Sequence, residues 1–241
     1  MTARLRFADA AAGIRCVALD AVGTVIFAEP SVANAYAEIG RQFGSQSEVA
    51  DVRSRLAQAL RRAEDLSINR FGEPSRTDEA TERLFWEQVV AEVLPDVTDR
   101  AGCFESLFEH FARPESWRCF EDVGSTIAEL QRRGYQIVLA SNFDARLNSV
   151  CDGLADLRDL TRRAISSLVG YRKTHPGFYP ELVRLAECSP HEVLMVGDDL
   201  ENDVVSAERS GLSALWLNRT GELYPGTNPI RSLTDLLELL P

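Results

Sequence analysis

The stretch Ile14-Arg15-Cys16-Val17-Ala18-Leu19-Asp20-Ala21-Val22-Gly23-Thr24 is a short apolar run that stops at a carboxylate and is followed by a turn residue. A run of this length and composition suits a strand buried on both faces of a parallel sheet. Gly23 supplies the turn. The same design recurs downstream. Residues 135–140 form an apolar run ending at Ser141, residues 164–167 a weaker one, residues 192–196 one ending at Gly197 and Asp198, and residues 213–217 a last one. Helical segments separate them. One starts near Asp122 and ends at Arg132-Arg133-Gly134, with basic residues in the last turn and glycine just beyond. Others cover residues 176–187, 202–210 and 232–240. Strands alternating with helices predict an α/β fold: a three-layer, Rossmann-like core around a central parallel sheet.

Between the first strand and this alternating half the pattern changes. Val32, Ala35, Tyr36, Ile39 and Phe43 repeat at helical spacing, as do Val49, Val52, Leu56, Leu60, Ala63 and Leu66. A third helix is expected over residues 78–94, and a fourth carries Phe104, Leu107, Phe108 and Phe111 on one stripe. The expected organisation is a core made of residues 1–30 and 114–241, with an all-helical cap inserted over residues 31–113.

Composition narrows the class of function. The 241 residues carry a formal net charge of −11 and no basic stripe, which sets nucleic-acid binding aside. An anionic substrate stays compatible, because a metal ion and one lysine make a pocket locally positive. The five cysteines are odd in number and lack paired metal-ligand spacing, so they read as free thiols of a reducing compartment. No secretory signal and no membrane span is seen, so a cytoplasmic location is expected. Oligomeric state is left open.

The polar residues gather where strands stop. Asp20, Ser141 and Asp198 each follow an apolar run, and the carboxyl ends of parallel strands line the ligand crevice. Lys173 lies in the loop after the weak strand and reaches the same rim. Singly, each has a bland reading, a cap or a loop residue. Together they make chemical sense. Asp20 and Asp198 are the hard oxygen ligands that magnesium prefers. An Asp20 oxygen can attack phosphorus. Lys173 can neutralise charge, and the Ser141 hydroxyl can hold phosphoryl oxygens.

Four segments resemble the motifs of the haloacid dehalogenase superfamily, in the subgroup with a helical cap after the first motif. They are Asp20-Ala21-Val22-Gly23-Thr24, Ser141-Asn142, Lys173 within Tyr171-Arg172-Lys173-Thr174-His175-Pro176, and Gly197-Asp198-Asp199-Leu200-Glu201-Asn202-Asp203. The resemblance implies a Mg2+-dependent hydrolase acting on a small phosphorylated metabolite through an aspartyl phosphate on Asp20. It implies a metal held by Asp20, the Val22 carbonyl and Asp198. Ser141 and Lys173 are implied at the phosphoryl group, with Asn142 contacting substrate or capping the next helix. Thr24, Asp199 and Asp203 are implied supports of the inner residues. Asp199 has an equally ordinary reading as an acidic residue at a helix N-terminus.

One position departs from the pattern. Phosphatases of the family carry an aspartate two residues after the nucleophile as general acid and base, where this chain has Val22. The same departure occurs in the family's dehalogenases, which expel halide without a proton. A 2-haloacid dehalogenase is therefore the rival reading, and a non-catalytic phosphate-binding relative the third. The acidic fourth motif favours phosphoryl chemistry over the first rival. Of the histidines, His110 and His191 read as structural, while His175 lies near enough to Lys173 to be an acid–base candidate. The segment Asn69-Arg70-Phe71-Gly72 reads as a cap loop in which Arg70 faces substrate. The aromatic stripe reads as cap core.

Overall fold

The computed structural model describes residues 11–66, 73, 75–221 and 229–241. Arg70 and its neighbours in the expected cap loop lie outside the described residues. In chain order the elements are β1 (Cys16–Leu19), β2 (Ile26–Ala28), α1 (Val32–Gln42), α2 (Val49–Leu66), α3 (Glu79–Val93), α4 (Arg100–His110), β3 (Trp117–Cys119), α5 (Val123–Arg132) and β4 (Gln136–Ser141). There follow α6 (Arg146–Gly153), β5 (Arg163–Ile165), α7 (Ser166–Val169), α8 (Tyr179–Ala186), β6 (Val193–Gly197), a π-helical turn (Leu200–Val205) running into α9 (Ser206–Arg209), β7 (Ser213–Trp216) and α10 (Leu236–Leu239).

Five strands form one parallel sheet in the order β5-β4-β1-β6-β7. The pleat sorts their side chains onto two faces. Val17, Leu19, Ile137, Leu139, Leu194 and Val196 join the cluster that holds Val123, Ile127 and Leu130 of α5 and Leu236 of α10. Cys16, Ala18, Val138, Ala140, Val193 and Met195 join the opposite cluster with Tyr179 and Leu182 of α8 and Ala207 of α9. Sheet and helices thus form the three-layer α/β architecture that the alternating pattern predicts. β1 is buried along its whole length, as a strand covered on both faces must be.

Helices α1 to α4 lie between β2 and β3, and these two short strands pair antiparallel, Ile26 with Cys119 and Ala28 with Trp117. The ribbon forms the entry and exit of the helical insertion. It was absent from the sequence reading, because strands of three residues carry too little alternation to register. Helix α3 begins at an Asp78 cap, whose side chain accepts from the Thr81 N–H at 2.7 Å. No helix among the described residues is long and apolar enough to cross a membrane.

Candidate active site

Register explains why distant residues meet. Leu19 stands beside Leu139 of β4 on one side and Val196 of β6 on the other. Asp20 therefore leaves β1 level with the ends of β4 and β6, and its N–H donates to the Val196 carbonyl at 2.9 Å. Ser141 closes β4, buried, one rung beyond. Asp198 follows Gly197 at the end of β6. All three emerge at the carboxyl edge of the sheet, where a parallel fold opens its crevice.

Lys173 arrives from the loop after α7 and is only 2% exposed. Its Nζ donates to Asp20 Oδ1 and to Asp203 Oδ1, each at 2.5 Å. Burial alone would push the lysine toward neutrality, but the Asp20 and Asp203 carboxylates outweigh it and hold the ammonium above the usual lysine range. Its backbone N–H donates to Asn142 Oδ1 at 2.8 Å. Asn142 thus fastens the lysine loop to the end of β4; it does not cap α6, which starts four residues later.

Asp198 lies beside Asp20 at the mouth of this cluster. Thr24 Oγ1 donates to Asp198 Oδ1 at 3.3 Å, and the Trp216 indole N–H donates to the Asp198 carbonyl at 2.9 Å. The carboxyl of Asp198 is pushed up to about 6, by desolvation first and by the Asp20 charge second. Burial also raises Asp203, against the pull of Lys173. Carboxylate oxygens of Asp20, Asp198 and Asp203 lie within 4.8 Å of one another. With all groups ionised, three carboxylates and one ammonium leave two negative charges uncompensated. That donor set fits a hard divalent cation.

Two glycines make the close approach possible. Gly23 has φ +90°, and a Cβ there would sit 2.3 Å from Asp198 Oδ2. A Cβ on Gly197 would sit 2.1 Å from Asp203 Oδ2. Any larger residue at either place would drive a carboxylate out of the cluster.

Asp199 takes the more ordinary of its two readings. Its Oδ1 accepts from the Glu201 and Asn202 N–H groups, capping the π-helical turn, and only its backbone N–H reaches Asp203 Oδ2, at 3.0 Å. His175 is likewise occupied. It stacks on Tyr171 at 4.3 Å, accepts from the Gly177 N–H and faces Glu73. It shapes the lysine loop. Val22 is 39% exposed and stands on the wall of a cavity between the sheet edge and the helical insertion.

The sequence reading missed two supports. Arg219 follows β7 and donates to the Thr24 carbonyl at 2.7 Å, while pairing with Asp122 at 3.0 Å. Its place just after a strand was the available signal. Arg172 makes a two-pronged bond to the buried Glu82 of α3 at 2.8 and 2.9 Å. Nothing in a linear reading joins residues 90 positions apart.

The sequence model of the haloacid dehalogenase-like hydrolase family matches residues 14–211, a span that includes Asp20, Ser141, Lys173, Asp198 and Asp203. The chain belongs to that family. It is a hydrolase of the haloacid dehalogenase superfamily. It is similar to the human haloacid dehalogenase-like hydrolase domain-containing protein 3, at 27% identity over 77% of this chain and 74% of the relative. It is also similar to a phosphoserine phosphatase of Thermus thermophilus, at 32% identity over 56% of this chain and 55% of that one. Among solved structures, a magnesium-bound hydrolase of the family from Bacillus subtilis superposes with a TM-score of 0.72 at 16% identity, covering 94% of this chain and 98% of the other. Both phosphatases and dehalogenases occur among structures of this fold.

Proposed function

We propose that this haloacid dehalogenase-like hydrolase is a magnesium-dependent phosphomonoesterase that works through an aspartyl phosphate on Asp20. The observation that carries the reading is the convergence of Asp20, Asp198 and Asp203 around the Lys173 ammonium. A lysine suffices to steady a nucleophilic carboxylate. The additional Asp198 beside Asp20 has no use in displacing halide from carbon, whereas adjoining carboxylates suit a hard divalent cation. Relatives named as phosphatases support the same chemistry.

The residues have distinct tasks. Asp20, Asp198 and the Val22 carbonyl are the groups that would hold magnesium, which when bound supplies positive charge to the phosphoryl oxygens. One Asp20 oxygen attacks phosphorus; the phosphorus–oxygen bond to the leaving group breaks, and the leaving group departs as an oxyanion. Lys173 holds the nucleophile in place and offsets the charge that builds on the phosphoryl group. The Ser141 hydroxyl donates to a phosphoryl oxygen. Asn142 and Asp203 keep the lysine aimed, and Thr24 keeps Asp198 aimed. Water then attacks phosphorus, the bond to Asp20 breaks, and the carboxylate returns with release of inorganic phosphate. The helical insertion acts as a cap that excludes bulk water.

Val22 supports a second reading, hydrolysis of 2-haloacids, because a valine cannot pass a proton and halide needs none. One experiment separates the two. The protein is offered phosphate esters and 2-haloacids, with and without magnesium and with Asp20→Asn beside the native chain. Phosphate release that depends on magnesium and vanishes in Asp20→Asn is the expected outcome. Halide release that persists in chelator, with no phosphate released, overturns the proposal.

A further inference from the structure

The cavity on which Val22 stands has about 260 Å³ of space, near the lower end of ligand pockets at roughly 300 Å³. Its walls are rings and aliphatic chains: Tyr36 of α1, Trp86 of α3 and Phe108 of α4 close it from the insertion, and Val22 and Asn142 from the sheet edge. It borders the cluster around Asp20 through Val22 and Asn142, which follow Asp20 and Ser141 off the ends of β1 and β4. Among the described residues Arg146 is the one full charge on the wall, and it is paired. Its guanidinium donates to Asp144 at 2.7 and 2.8 Å and to the Phe108 carbonyl at 3.1 Å, and it lies 3.6 Å over the Phe108 ring. Tyr36, 2% exposed, lines the same space.

Two constraints now meet at one place. The position that would protonate a leaving oxygen is a valine, so the leaving group must be stable as an oxyanion. Among the described residues the space beside that valine is walled mostly by rings and its guanidinium is paired, so an apolar leaving group fits it. We infer that the substrates are phosphate monoesters of apolar aromatic alcohols, whose ring fills the cavity between Val22, Tyr36, Trp86 and Phe108. A ring there stacks on aromatic walls, and phenoxide-type leaving groups depart without a proton donor. Sugar, amino-acid and glycerol phosphates fit poorly on both counts: their alkoxides need the missing proton, and among the described lining residues their hydroxyls meet mostly rings and aliphatic chains. The inference rests on the phosphomonoesterase reading of the same site.

The test compares four substrates on the full chain with magnesium. Acetyl phosphate has a small leaving group that needs neither proton nor cavity, so its turnover, abolished in Asp20→Asn, reads the phosphatase proposal alone. Phenyl and 2-naphthyl phosphate release oxyanions of similar basicity but differ by one ring, so their ratio reads the cavity. The naphthyl ester is expected to exceed the phenyl ester in kcat/KM by about fivefold or more. Glycerol phosphate is expected to fall about 100-fold or more below the phenyl ester. Leu60→Trp, at a half-buried position on the wall, and Trp86→Ala, which removes a wall, are each expected to bring the naphthyl-to-phenyl ratio toward one, with folding followed by thermal unfolding. A ratio of one in the native chain, or a ratio unmoved by both substitutions, overturns the inference while acetyl phosphate turnover leaves the phosphatase reading standing. Failure on all four, acetyl phosphate included, removes that reading and the inference with it.

Discussion

Val22 is the residue on which the reaction turns. Its exposed side chain lines the cavity, and the ligand role proposed for its carbonyl does not depend on the side chain. Substituting it tests the acid–base argument while Asp20, Asp198, Asp203 and Lys173 all stay in the chain. Val22→Asp places a proton donor beside the leaving oxygen, and such help is worth about 100- to 10,000-fold on poor leaving groups. Glycerol phosphate turnover should therefore rise by at least about tenfold in Val22→Asp, while acetyl phosphate turnover changes little. Steady-state kinetics on the pair reads the result; equal gains on both would mean the valine acts through shape and not through the missing proton. The strand-end residues were legible because their environment is written locally. An apolar run that stops at Asp20 or Asp198 declares both the strand and the edge. Tyr36 was legible only as a member of a helical stripe, since its role comes from facing a cavity that two separate parts of the chain enclose.

At the scale of elements, α3 is the piece that ties the helical insertion to the lysine loop. The Thr77 N–H just before it donates to the Gly170 carbonyl at 3.0 Å, and the Arg172 N–H donates to the Ser75 carbonyl at 2.8 Å. Glu79 accepts from the Ala145 N–H and from the Ser167 hydroxyl. Glu82, buried, accepts from Thr77 Oγ1 at 2.6 Å and from the Arg172 fork, which also stacks on Phe85. Arg172 precedes Lys173, so the latch and the charge cluster share one stretch of backbone. Removing one partner of a buried ion pair costs about 3–5 kcal/mol. Glu82→Ala should lower the melting temperature by about 6 °C or more, at roughly 2–4 °C per kcal/mol for a chain of this size, and should lower kcat more than it raises KM. Arg184→Ala, which breaks the exposed pair with Glu181 along α8, should shift the melting temperature by about 2 °C or less. Equal shifts from the two would deny the latch. The helices themselves were readable from periodicity, and the Asp78 start from its capping residue. The latch was not, because it depends on how α3 lies against a loop 90 residues away, which no local pattern encodes.

For the whole molecule, the sheet edge concentrates negative charge that the fold alone leaves partly unpaired, and this couples cation binding to stability and to pH. Asp198 carries a folded pKa near 6, above the ordinary aspartate range, so the folded chain binds a proton there more tightly than the unfolded chain does. That preference favours the folded state at low pH and is lost as pH rises through about 6, where the ionised carboxylate is left facing Asp20. A divalent cation reverses the sign: it needs the deprotonated form, so its binding competes with the proton and strengthens as pH rises through the same range. Ligand at about 100 times its Kd adds about 2.7 kcal/mol, which corresponds to roughly 5–10 °C in a chain of this length. Magnesium should therefore raise the melting temperature by about that amount at pH 7.5, by distinctly less at pH 5, and by little at either pH in Asp198→Asn. Calorimetric scans with and without magnesium at the two pH values measure this directly. A shift of equal size at both, or one that survives Asp198→Asn, would locate the cation away from the carboxylates at the ends of β1 and β6.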